Sequence, residues 1–378
     1  MRRLILFLVT ILLMAVPGCT GKSGPPASQD SGFKNSNLLK LPPGFRIGLF
    51  ASSLDGPRMM ALSPDGRLFV TEMGAGRVTI LPDANGDHHA DSHIVYASGL
   101  NNPHGIAFHG GYLYVADEGR VIRYPYRSGD NKAPKSQVVV PNLPTGGEHI
   151  TRTITFGPAD GKLYVSVGSS CNACIKKDPL RASIIRCNAD GSGRETFATG
   201  LRNSVGLAWN PRTSELWATD NGRDYLGDDL PPDEVNVIRQ DGFYGWPYAY
   251  GNRIPDPAFD NKYPQKVADS ILPKIAIQAH SAPLGLIFYT GSMFPAEYRG
   301  NLFIAYHGSW NRTIPTGYKV VRFAVQDGEV GGQQDFITGW LQNGGSWGRP
   351  VSLLVGKSGE LYITDDKGGQ VYVVTYGS

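Results

Sequence analysis

One short pattern returns six times along this chain: an apolar strand, a turn containing glycine, then apolar–aromatic–apolar residues running toward an acid. The second strands of these units read Arg67-Leu68-Phe69-Val70, Tyr112-Leu113-Tyr114-Val115, Lys162-Leu163-Tyr164-Val165, Glu215-Leu216-Trp217-Ala218, Asn301-Leu302-Phe303-Ile304 and Glu360-Leu361-Tyr362-Ile363. Strands such as Gly206-Leu207-Ala208-Trp209 precede them, and strands such as Gln370-Val371-Tyr372-Val373-Val374 follow. A unit this small cannot bury its own apolar face and must stack on its neighbours. A period of roughly 50 residues with about four strands per unit is that of a β-propeller, whereas β-helix repeats are shorter. The expected fold is all-β: a six-bladed propeller of four-stranded antiparallel blades. The strand Phe45-Arg46-Ile47-Gly48-Leu49-Phe50 is placed to complete the last blade and tie the two ends of the domain together. One longer interval, residues 225–279, is rich in proline and aromatic residues, and is expected to wall a pocket on one face.

Residues 1–18 read as a lipoprotein signal. Arg2 and Arg3 precede an apolar run, residues 4–16, too short to span a bilayer comfortably, and Ala15-Val16-Pro17-Gly18-Cys19 offers a lipidation site at Cys19. Residues 19–38 are poor in large apolar side chains and read as a tether, leaving residues 39–378 as the folded domain. The expectation is an exported protein, lipid-anchored to a bacterial membrane and facing the periplasm. Thr20 after Cys19, in place of an acid, favours the outer membrane. Net charge is +3 with the signs mixed, which excludes a basic nucleic-acid-binding stripe. Cys171-Asn172-Ala173-Cys174 can close a small disulfide ring in an exported protein, leaving Cys187 free.

In a propeller the loops feeding the innermost strands converge on one face. Here they carry His104, His149, Arg202 with Asn203, His280 and Arg349. The loops leaving the second strands meet the same face, with Glu72, Asp117 and Glu118, Ser169 and Ser170, Asp220 and Asn221, His307, and Asp365 and Asp366. Each is also a plausible solvated turn residue, but polar groups at equivalent places in repeated units predict a polar funnel. The segment Gly146-Gly147-Glu148-His149-Ile150-Thr151-Arg152 stands out, because it sets an imidazole beside a carboxylate and an arginine. A histidine titrates near neutrality and suits general-base work.

Several segments in order carry a family resemblance: Glu148-His149-Ile150-Thr151-Arg152, Gly200-Leu201-Arg202-Asn203-Ser204-Val205-Gly206, Thr219-Asp220-Asn221-Gly222-Arg223, Pro232-Asp233-Glu234-Val235-Asn236, Gly242-Phe243-Tyr244-Gly245-Trp246-Pro247 and Trp347-Gly348-Arg349-Pro350. The chain resembles the soluble pyrroloquinoline-quinone-dependent sugar dehydrogenases, within the glucose/sorbosone dehydrogenase group. The resemblance implies oxidation of a sugar, or of a sugar-derived aldehyde or alcohol, by hydride transfer to pyrroloquinoline quinone, with an unidentified electron acceptor downstream. It implies His149 as the base, with Glu148 either orienting it or holding the imidazolium, and Arg202 near the reacting oxygens. It implies Asn203, Asn221 and Arg349 on the cofactor, and a calcium ion held by the backbone carbonyls of Gly222 and Arg223. The family's cofactor lysine has three candidate counterparts, His307, Arg312 and Lys319, and its threonine contact is replaced by His280. The loop where those enzymes carry an aspartate near the base reads Gly168-Ser169-Ser170-Cys171, without an acid.

A second calcium site is a candidate at Asp83, Asn85, Asp87 and Asp91, where a plain β-turn is the alternative. Two other functions share the propeller. One is a non-catalytic lipoprotein that binds a sugar or a protein. The other is a calcium-dependent lactonase using Asp220, Asn221, Glu72 and Asp365.

Overall fold

The computed structural model describes residues 36–326 and 328–377. The signal segment, Cys19 and the tether up to residue 35 lie outside the described residues. No helix among the described residues is long and apolar enough to cross a membrane.

Six sheets form the predicted propeller. From the innermost strand outward, blade one is Pro57–Leu62, Leu68–Glu72, Arg77–Leu81 and Ile94–Ser98. Blade two is Ile106–His109, Tyr112–Asp117, Arg120–Pro125 and Gln137–Val140, and blade three is Ile154–Phe156, Leu163–Val167, Ser183–Cys187 and Glu195–Thr199. Blade four is Leu207–Trp209, Leu216–Asp220, Asp233–Ile238 and Ile275–Ile277, and blade five is Pro283–Phe288, Leu302–Tyr306, Lys319–Gln326 and Glu329–Ile337. Blade six is Pro350–Val355, Leu361–Asp365 and Gln370–Tyr376, closed on its outer edge by Phe45–Ala51, with Phe45 opposite Tyr376. Blade three gains a short fifth strand, Gly242–Phe243, which is parallel to its neighbour.

The second strands are buried along their whole length, as in Leu163–Val167 and Leu361–Asp365, apart from half-buried Tyr112 in blade two, because a blade packs on both sides. That is why they read as unbroken apolar runs rather than as alternation. The core is correspondingly divided into six clusters, one between each pair of neighbouring blades. Each innermost strand contacts the next around the ring, and Pro350–Val355 meets Pro57–Leu62 to close it. Residues 239–274, between the outer strands of blade four, supply Gly242–Phe243, the hairpin Ala249–Tyr250 with Ile254–Pro255, and the short helix Pro264–Asp269.

Candidate functional site

Antiparallel pairing sets the start of each innermost strand opposite the end of the second, as in Pro57 with Glu72 and Pro350 with Asp365. The loops at those ends therefore meet. They enclose a cavity of about 550 Å³ lined by Glu148, His149, Arg202, Asn203, Asn221, Gly222, His280, His307 and Arg349. These come from blades that lie far apart in the chain.

His149 is held from behind. Its Nδ1 lies 3.0 Å from both the carbonyl oxygen and Oγ of Ser169, and Ser169 Oγ in turn donates to the Cys171 carbonyl at 2.7 Å. That fixes the tautomer with Nδ1–H donated to the Ser169 carbonyl. Nε2 then carries the lone pair and has no hydrogen-bond partner among the described residues. Gly168 makes the packing possible, since a Cβ there would stand 2.6 Å from His149 Cβ and 2.8 Å from Asn203 Oδ1. Burial first, then the Arg202 charge, lowers the His149 pKa to about 3, so the ring is neutral near neutral pH.

Glu148 does not orient this histidine. Its side chain is 51% exposed and stands 3.9 Å from Arg202. The orienting role falls to Ser169, in the loop that lacks an acid.

Arg202 is buried and fully engaged. Nε donates to the Asn172 carbonyl at 3.1 Å, Nη1 to the carbonyls of Asn221 at 3.2 Å and Gly222 at 2.9 Å, and Nη2 to Asn172 Oδ1 at 3.0 Å and Asp224 at 3.1 Å. Asn203 presents a carboxamide with no hydrogen-bond partner among the described residues. Arg349 donates to the carbonyls of His307 at 3.0 Å and Gly308 at 2.7 Å and forms no ion pair among the described residues.

His307 Nε2 lies 2.9 Å from Asp366, which also pairs with Arg58. Burial lowers the His307 pKa to about 4, although Asp366 pulls the other way.

Several expected residues stand elsewhere. Lys319 is tied to Asp335 at 2.7 Å along blade five, Arg312 pairs with Asp229 at 2.9 Å, and neither lines the cavity. Arg223 turns to Asp256 at 2.7 Å. His104 is wholly buried beneath the cavity, between Arg58 and Thr153. The acids at the ends of the second strands mostly brace backbone instead of facing the funnel. Glu72 accepts the Asp55 N–H at 2.7 Å, Asp220 those of Asn203 at 2.7 Å and Arg202 at 3.0 Å, and Asp365 that of Arg349 at 2.8 Å. Each satisfies an amide that the sheet ladder leaves unpaired.

The long interval contributes Tyr225 to the wall, and its Trp246 packs behind the cavity, donating Nε1–H to the Asn172 carbonyl at 3.1 Å.

Other residues join the lining, Arg58, Asn172, Asp224 and Trp310 among them. Arg58 sits at the start of the first innermost strand, the one blade for which no feeding-loop residue had been proposed, so the register of the repeat would have found it. Asn172 lies inside the Cys171–Cys174 ring. Tyr225, from the aromatic interval expected to wall a pocket, and Trp310, 68% and 67% exposed, meet edge to face at 5.8 Å on the rim, and no local sequence signal marks Trp310.

A family model described as TrAA12-like matches residues 39–252 and 258–377. The chain belongs to the TrAA12-like family. An uncharacterized protein of Borreliella burgdorferi is 33% identical to it, covering 90% of this chain and 92% of that protein. A pyrroloquinoline quinone-dependent sugar dehydrogenase of Hypocrea jecorina is 24% identical, covering 88% of each chain. The holo form of the pyranose dehydrogenase PQQ domain from Coprinopsis cinerea superimposes with a TM-score of 0.74 at 23% identity, over 89% of this chain and 97% of that one, and shares its fold.

In this TrAA12-like protein the cavity residues fit a flat anion. Among the described residues Arg349 forms no ion pair, buried Arg58 Nε has no hydrogen-bond partner, and Asn203 offers a free amide. Of the two backbone carbonyls expected to hold calcium, that of Gly222 accepts from Arg202 Nη1 at 2.9 Å, so a guanidinium stands beside this position. Among the described residues no group of three His, Cys, Asp or Glu side chains could hold a metal. At the second candidate calcium site, Asp83 accepts the N–H groups of Gly86 at 2.8 Å and His88 at 3.1 Å, and Asp91 accepts that of Ala84 at 2.7 Å. This is the hydrogen bonding of a turn, and the plain β-turn alternative describes it.

Proposed function

We propose that this protein oxidises a hydroxyl of a sugar, or of a sugar-derived aldehyde hydrate or alcohol, with pyrroloquinoline quinone as its cofactor. The observation that carries the reading is His149. It is locked from behind by Ser169, neutral, and open at Nε2 to a cavity lined by Arg58, Arg202 and Arg349. When bound, the quinone supplies the acceptor for a hydride. His149 Nε2 takes the hydroxyl proton as the substrate carbon gives up that hydride, so that one carbonyl forms and no water is consumed. The resulting imidazolium keeps its hydrogen bond to the Ser169 carbonyl. Arg349 would hold a carboxylate, Arg58, already paired with Asp366, adds the unpartnered Nε to the same side, and Arg202 offers a fixed positive charge beside the reacting atoms. The rim pair Tyr225 and Trp310 presents flat apolar faces on which a sugar ring can lie and exclude water. The sugar dehydrogenases among its relatives support the reading.

The test is titration of the purified chain with pyrroloquinoline quinone followed by absorbance, then dye reduction across an aldose, aldehyde and sorbosone panel. Retained quinone and turnover are expected, and His149→Ala is expected to lower turnover by at least roughly 100-fold. A His149→Ala variant as active as the parent, or no retained quinone, would sink the reading.

We also infer export with lipid anchoring at Cys19, a reading supported by a disulfide in the folded domain. Radiolabelled palmitate incorporation that survives Cys19→Ala would overturn it.

A further inference from the structure

The Cys171–Cys174 disulfide closes a ring with only Asn172 and Ala173 between the cysteines, at the edge of the cavity. Asn172 is bonded on every side. Its carbonyl oxygen accepts from Arg202 Nε at 3.1 Å and from Trp246 Nε1 at 3.1 Å. Its carboxamide pairs reciprocally with the backbone of Asp224: Oδ1 accepts the Asp224 N–H at 2.7 Å, and Nδ2 donates to the Asp224 carbonyl at 3.0 Å. Oδ1 also accepts from Arg202 Nη2 at 3.0 Å. The same ring reaches the histidine from its other end, because the Cys171 carbonyl accepts from Ser169 Oγ and Ser169 holds His149 Nδ1. The Ser169 N–H returns to the Arg202 carbonyl at 2.7 Å.

We propose that Asn172 is a positioning residue of this site and that the closed disulfide ring holds it in place, so that one two-residue loop sets the guanidinium of Arg202 and the imidazole of His149 together. The residue type follows from the bonding. A carboxamide donates to and accepts from the Asp224 backbone and still accepts from Arg202, whose guanidinium is already paired with the Asp224 carboxylate at 3.1 Å. An aspartate would lose the donor and set a second carboxylate against Arg202. Opening the ring frees the backbone of residue 172, and with it the shared support of two groups that otherwise come from different blades.

The experiment uses the full chain, oxidised, with nitrogen-15 in its arginine and tryptophan side chains. Trp246→Phe identifies the Trp246 indole signal, and Arg202→Lys identifies the Arg202 Nε–H. Dithiothreitol then transfers two electrons and two protons to the Cys171–Cys174 bond, giving two thiols while the reagent closes to its own disulfide; thiol counting confirms the step. We expect both resonances to move on reduction and to return on reoxidation. Asn172→Ala is expected to leave the Trp246 indole in place, since the backbone carbonyl remains, and to shift the Arg202 side-chain signals. The ligand arm rests on the dehydrogenase reading: reduction and Asn172→Ala should each raise the dissociation constant for pyrroloquinoline quinone by about tenfold. Resonances unmoved after complete reduction overturn the role of the ring. Arg202 signals unmoved in Asn172→Ala overturn the role of the side chain. If the oxidised parent binds no quinone, the dehydrogenase reading fails while the two resonances still decide this one. Working with dithiothreitol on the folded parent keeps the test valid even if Cys171→Ser with Cys174→Ser does not fold.

Discussion

At the scale of single residues, His149 and Glu148 part company. They are neighbours in sequence, yet one ring faces the cavity and the other side chain is half in solvent beside Arg202. A pair at that distance, with one partner half in solvent, contributes about 1 kcal/mol at most. Glu148→Gln should therefore change turnover less than about fivefold, against the loss expected for His149→Ala, and steady-state kinetics on both variants check it. The neutral imidazole makes a second prediction. Because burial and Arg202 lower its folded pKa to about 3, the His149 ring in the ligand-free chain should stay unprotonated down to about pH 4, which nitrogen NMR of the imidazole reads directly. An unfolded histidine protonates near its ordinary value, so between that pH and the folded value the unfolded chain binds the extra proton. The contribution of His149 is thus to make stability fall as pH drops through this window.

At the scale of elements, the closing strand Phe45–Ala51 is the join of the ring. Phe45 meets the rings of Phe294, Tyr298, Phe336 and Tyr376 at 4.8 to 5.0 Å and so ties blade six to blade five. Phe45→Ala is expected to cost about 3 kcal/mol or more of unfolding free energy, measured by denaturant melts. Removing the whole strand should do worse, since Gln370–Tyr376 would become an open sheet edge prone to pairing with other chains. This element was legible in the sequence because its apolar pattern had no partner nearby. The bracing acids were legible as a repeat but not as braces. Seen one at a time, Glu72, Asp220 and Asp365 look like polar groups bound for a funnel. Only the pairing of strand ends shows that each answers a backbone amide in an adjacent loop.

At the scale of the molecule, buried acids under the site set the pH response above neutrality. Burial, with a nearby Glu234, raises Asp220 to about 8, and burial raises Asp233 and Glu234 to about 7 each. Unfolded, these groups ionise at ordinary carboxylate values, so up to the folded values the native chain holds the extra protons. Stability therefore falls as pH rises through that window. Near neutrality the histidine contribution is spent, and the melting temperature should decline from pH 6.5 toward pH 8, with a shallower decline in Glu234→Gln; a flat profile would count against the buried charges. How legible the protein was follows the same divide. Strand, turn and blade number are written in local apolar patterns, because each blade solves its burial problem with its nearest neighbours in the chain. The candidate base and two of the cavity's arginines, Arg202 and Arg349, could be read from motifs for a related reason, since each lies at a fixed register in a repeat. What holds those groups depends on loops dozens to hundreds of residues apart meeting at one end of the ring. Asn172 against Arg202, Arg58 against Asp366 and Tyr225 against Trp310 are such meetings. No local pattern encodes them, because closure of the ring alone decides which loop ends become neighbours.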